Sequence, residues 1–185
     1  MMKLNQFRRG MVFRSEGELW QIVQMDLNTP GNWRSMFQVK MKNVIKGNVL
    51  TKRISPTEEM EDVFLETLDM EYLYREGENY VFMNTENFEQ FTLTPDSVGD
   101  ATQYLKLNEV VRVQMIEGKS ISVELPATVV LEVKDTEPGL KGATVTNVMK
   151  AAKLETGAVV KVPNFIEIGE KVKVDTRSGE FLGRA

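Results

Sequence analysis

The sequence predicts an all-β protein built of small barrels or sandwiches, and three observations carry that expectation. Apolar and polar residues alternate in short runs: Phe37, Val39 and Met41 are spaced by Gln38, Lys40 and Lys42, and Val111/Val113/Met115 and Ile121/Val123/Leu125 repeat the pattern. A period of two is that of a half-buried strand. Turn chemistry separates such runs, at Glu16-Gly17-Glu18, Lys46-Gly47-Asn48, Glu76-Gly77-Glu78-Asn79, Glu117-Gly118-Lys119 and Arg177-Ser178-Gly179. Helix is scarce. The best candidate opens at Thr94, with Pro95 at the first helical position, and runs toward Leu105.

Prolines and charge divide the 185 residues into thirds, 1–57, 58–126 and 127–185. Pro56 follows the strand-like Thr51-Lys52-Arg53-Ile54, an acidic stretch opens at Glu58-Glu59-Met60-Glu61-Asp62, and Pro126 closes the middle block. Net charge is +7 in the first third, −12 in the second and +1 in the last, so an overall −4 conceals a basic end and an acidic middle. At about 60 residues each third has a marginal core of its own. The first two are therefore expected to pack together, with the third more loosely tethered.

Composition excludes several chemistries. With no Cys and no His there is no disulfide, no thiol nucleophile, no Ser-His or Cys-His triad and no ordinary zinc site. Neither GxGxxG nor GxxxxGK[ST] occurs, and the acidic residues are scattered rather than paired for acid–base work. The expectation is a protein that is not an enzyme and carries no metal or cofactor. No apolar run approaches the ~18–20 residues of a membrane span, and Met1 to Arg9 lacks the apolar core of a signal peptide. A cytoplasmic location with no membrane partner follows as an expectation.

Three features are candidates for function. Strands near Glu18–Leu27 and Phe37–Ile45 flank Asn28-Thr29-Pro30-Gly31-Asn32-Trp33-Arg34-Ser35. A ten-residue strand rises ~33 Å, enough to lift this tip clear of a small barrel. Trp33 and Arg34 suit base stacking and phosphate pairing; equally, Trp33 could fold back on its own hairpin and Arg34 merely be solvated. Basic residues surround the hairpin (Arg8, Arg9, Arg14, Lys46, Lys52 and Arg53 among them), and Lys40 and Lys42 share one strand face suited to a row of phosphates. Gly99-Asp100, beside the short helix, reads on its own as a turn with a capping Asp.

The C-terminal third contains Lys150-Ala151-Ala152-Lys153-Leu154-Glu155-Thr156-Gly157-Ala158-Val159-Val160-Lys161-Val162-Pro163-Asn164-Phe165-Ile166-Glu167-Ile168-Gly169. A Lys-x-Ala, a Gly after four intervening residues, a Val-Pro and a closing Gly together resemble the signature of the elongation factor P family. Asp135 to Gly142, Val174 to Glu180, Tyr72-Leu73-Tyr74, Phe82-Met83-Asn84, Phe88-Glu89-Gln90 and Gly99-Asp100 are similar to that family as well, in collinear order along essentially the whole chain.

The resemblance implies three tandem barrels, a KOW/SH3-like first domain and two OB-type domains, in a tRNA-like arrangement. It implies a monomer that binds the 70S ribosome beside P-site peptidyl-tRNA, contacts ribosomal RNA, and relieves stalls at consecutive prolines. Pro30, Gly31, Asn32, Trp33, Arg34 and Ser35 would form the tip at the tRNA acceptor end, Gly99 and Asp100 would face the E-site codon, and Arg177 would make a C-terminal RNA contact. Relatives commonly carry a modified Lys or Arg at the tip. This chain has Asn32 there, which offers neither amine nor guanidinium, so no modified residue is expected. Smaller departures are Ala151 for a frequent Pro and Phe181 for a common Tyr. Two other readings stay open: a specialised ribosome-binding paralogue with a different stall spectrum, and an OB-type nucleic-acid-binding module working off the ribosome.

Overall fold

A computed structural model describes every residue except Pro30, Asn32, Trp33 and 140–147. Among the described residues the architecture is three antiparallel sheets with very little helix.

The first sheet takes β1 (Met2–Lys3), β2 (Val12–Ser15), β3 (Glu18–Asn28), β4 (Met36–Asn43), β5 (Val49–Ile54) and β6 (Glu59–Val63) in the order β1-β6-β2-β3-β4-β5. The pattern read from sequence is visible in β4, where Val39, Met41 and Asn43 are buried and Gln38, Lys40 and Lys42 exposed. Inward residues form a core of Leu4, Phe7, Phe13, Trp20, Ile22, Val39, Met41, Ile54 and Met60. Phe7 and Phe13 meet edge to face, centroids 5.9 Å apart, the arrangement ring quadrupoles favour. Glu16 and Gly17 both take positive φ and join Ser15 to its cross-strand partner Glu18, the two-residue turn that matches strand twist.

The second sheet takes β7 (Glu66–Glu76), β8 (Asn79–Asn84), β9 (Gln90–Leu93), β10 (Val110–Ile116) and β11 (Lys119–Glu124) in the order β11-β10-β7-β8-β9. The third takes β12 (Thr128–Thr136), β13 (Met149–Leu154), β14 (Val159–Pro163), β15 (Lys171–Asp175) and β16 (Phe181–Arg184) in the order β14-β13-β12-β15-β16. Its core is almost purely aliphatic, from Val129, Leu131 and Val133 to Ile166, Val172 and Val174.

Three expectations need correction. The first sheet includes β6, paired to β1 and β2, so it continues past the division expected at 57/58. The apolar Met60 draws this strand into the first core despite its acidic neighbours. The helix expected from Thr94 to Leu105 is two short pieces, α1 (Pro95–Val98) and a 3-10 turn (Gly99–Gln103). Thr94 caps α1, its Oγ1 accepting from Ser97 N at 3.4 Å, but Gly99 turns the chain out of the helix with φ 58° and ψ −138°.

The third correction concerns tethering. The chain forms two compact units, one of residues 1–67 with 114–121, the other of 68–113 with 122–185. The third barrel thus shares a unit with most of the second and is not loosely attached. Tyr104 packs against the third core, Thr156 Oγ1 donates to the Gln103 carbonyl at 2.6 Å, and Lys106 pairs with Glu155 at 3.4 Å.

Candidate nucleic-acid interface

In the first unit, β3 and β4 stay paired out to Asn28 and Met36. Beyond that pair, Thr29 Oγ1 and Ser35 Oγ lie 3.0 Å apart and close the neck of the loop. Gly31 (φ 55°) and Arg34 are exposed, Ser35 half-buried. Pro30, Asn32 and Trp33, on which the stacking expectation rests, lie outside the described residues.

The structure sorts the basic residues around the hairpin into paired and unpaired groups. Arg14 donates to Glu117 at 2.8 Å and to Glu61 at 3.3 Å, and the bond to Glu117 pushes its guanidinium further above the ordinary arginine value. Lys46 is held by Glu18, which also accepts from Asn43 Nδ2 at 2.9 Å. Arg8 directs one nitrogen to the carbonyls of Phe7 and Asn5, at 2.8 and 3.1 Å. Lys40 and Lys42 are different: both are exposed on β4, and their cross-strand neighbours are Gln24 and Gln21 on β3 and Thr51 and Val49 on β5. None of the four carries a charge. Arg53 stands opposite Gln38 on the same pair of strands. These are cations without counter-ions among the described residues, available to a polyanion.

In the second unit, two candidates far apart in sequence share one hollow. Asp100 and Arg177 both line a depression of about 200 Å³ with Ala101, Val123, Leu125 and Thr176. Arg177 also borders a larger one of about 410 Å³ containing Asp69 and Arg112. The Arg177 turn is stiffly built. Asp175 accepts from the backbone N–H groups of Arg177 and Ser178 at 2.8 and 3.0 Å. Those bonds, Ser178 first, hold its carboxyl below the ordinary aspartate range. Thr176 Oγ1 donates to the Pro126 carbonyl at 2.7 Å, anchoring the turn to the start of the third barrel. Asp175 and Tyr104 were not singled out from sequence. An Asp two residues before Arg177 was the available signal for the first, and nothing local marks the second.

Comparison with known proteins decides the family. A model described as the elongation factor P KOW-like domain matches residues 3–60, one for the elongation factor P OB domain matches 65–123, and one for the elongation factor P C-terminal domain matches 129–184. Elongation factor P of Acidobacterium capsulatum is 46% identical over 180 residues, 97% of both chains. The protein of the same name from Clostridioides difficile is 44% identical over 184 residues, 100% of both. The chain belongs to the elongation factor P family. It is therefore a translation factor whose first module is KOW-like and whose second is an OB domain. A solved structure described as eukaryotic translation initiation factor 5A from Methanococcus jannaschii covers 66% of this chain and 92% of its own at a TM-score of 0.52 and 16% identity, a likeness of fold alone.

Proposed function

We propose that this elongation factor P family member binds the 70S ribosome beside P-site peptidyl-tRNA and promotes peptide-bond formation where consecutive prolines stall it. The observation that carries the reading is the unpaired basic face of Lys40 and Lys42, rising along a hairpin whose tip holds Gly31 and Arg34. Phosphates of RNA are the natural counter-charge for such a row. The protein acts as a monomer in the cytoplasm, without cofactor and without a catalytic group of its own. Peptidyl transfer remains the ribosome's chemistry. Proline is a rigid secondary amine that aligns poorly for attack, and fixing the tRNA end in a reactive pose recovers part of the ~7–11 kcal/mol that orientation supplies in favourable cases.

Within this reading the loop of Gly99 and Asp100 faces the E-site codon, and Arg177 provides a further RNA contact from the same hollow. The tip residues Pro30 to Ser35 approach the acceptor end, with Asn32 unmodified. Ribosome profiling of a strain lacking the protein tests the assignment: pauses at consecutive prolines are expected. Pauses confined to other motifs would favour a paralogue with a different stall spectrum, which the Asn32-Trp33 tip also suits.

A further inference from the structure

At the foot of the β3–β4 hairpin lies a cleft of about 460 Å³, within the ~300–1,000 Å³ typical of small-ligand sites. Phe7 forms a fully buried floor, and half-buried Val23, Met25 and Phe37 give apolar walls, with Arg8 and Arg9 at the rim. The cleft exists because β3 is irregular here. The register with β4 shifts between Ile22↔Met41 and Gln24↔Lys40, leaving Val23 as an extra residue, and such bulges re-aim side chains and open a strand. No acidic residue is among those lining it. Of the lining residues, Gln24 donates its Nε2 to Asp26 at 2.7 Å. Arg8 is braced on two backbone carbonyls, whereas Arg9 is exposed and has no ion-pair partner among the described residues.

We propose that this cleft captures the base of one unpaired RNA nucleotide, with Met25 and Phe37 against the base and Arg9 on its phosphate. Charge complementarity selects the occupant. Two arginines with no acid among the lining residues, in a third of the chain carrying +7, favour an anion, and the apolar walls favour a flat, weakly hydrated body attached to it. Met25 pairs with Val39, and both Met25 and Phe37 pack against the first core. The cleft therefore opens on the face of the hairpin opposite to Lys40 and Lys42, and Arg9 rather than the β4 lysines supplies the charge beside it. Aromatic and thioether surfaces accept any base, so recognition here is of an unstacked nucleotide and not of a sequence. The inference rests on the reading of the first module as an RNA-contacting arm.

The test compares binding of the full chain to a hexaadenylate and to an abasic hexamer of equal charge, with methionine-methyl NMR as a second readout. The expected result is that hexaadenylate binds about tenfold more tightly, moves the Met25 methyl resonance, and loses several-fold affinity in Arg9→Gln, an exposed position. Equal affinity for the two oligomers, or base-dependent binding that leaves the Met25 methyl unmoved, would overturn the cleft. Proline-stall rescue reports separately on the ribosomal reading. A chain that rescues stalling but binds both hexamers equally keeps its function and loses this site; one that shows the base-dependent signature without rescue does the reverse.

Discussion

The Tyr104 hydroxyl occupies the space where a side chain at Gly179 would begin: a Cβ built there would stand 2.7 Å from Oη. Gly179 also holds φ 73°, a left-handed conformation that costs other residues ~1–2 kcal/mol. This close approach joins the turn that carries Arg177 to the segment that carries Asp100.

Gly179→Ala should therefore destabilise more than strain alone dictates. Gly157, at φ 88° with open space around it, supplies the comparison within the same barrel. Thermal unfolding should show Gly157→Ala lowering Tm by a few degrees, given ~2–4 °C per kcal/mol at this size, and Gly179→Ala lowering it further. In a Tyr104→Ala background the excess at 179 should vanish.

Asp175 makes the same turn dependent on pH. Its folded value lies below the ordinary 3.8 because two backbone N–H groups donate to it. The unfolded chain therefore takes up the proton first on acidification. The stabilisation is complete above the ordinary value and is lost as pH falls through the lower folded one. Asp175→Asn should cost Tm near neutrality, and the gap from the parent should close in strong acid.

Charge removal should separate the paired cations from the unpaired ones. Lys40→Ala/Lys42→Ala should weaken 70S binding and reduce its salt slope by about two, roughly one for each phosphate no longer neutralised. Lys46→Ala should leave that slope unchanged, because Lys46 is already neutralised by Glu18. Salt-dependent cosedimentation measures both.

At the tip, mass spectrometry of the native peptide should find no added group on Asn32 or Arg34. Trp33→Ala should reduce stall rescue more than Asn32→Ala, by an amount matching the ~1–3 kcal/mol of an aromatic–base stack. Melting curves must accompany this comparison, since a Trp33 packed on its own hairpin would lose stability before rescue.

Much of the fold was legible because period-two alternation survives in the strands: Phe37 to Lys42 reads correctly from sequence alone. The Thr94 helix was legible only at its start. A Thr-Pro opening is a local signal for the start, whereas the end is set by the backbone turn at Gly99, with φ 58°. Pairings between distant residues were not legible. Nothing in the sequence says that Arg14 would be tied to Glu117, or that Asp100 and Arg177 would border one hollow, because tertiary structure sets those neighbours. The division expected at 57/58 followed acidic composition, whereas β6 pairs with β1 and β2 and buries Met60 in the first core.

The proposed acceleration of peptide bonds between prolines rests on positioning alone. Its most direct measurement is the rate of synthesis through several consecutive prolines in a reconstituted translation system, with and without the unmodified recombinant protein. A clear acceleration is expected on that template and none on one lacking proline runs. Equal rates on the proline template would contradict it.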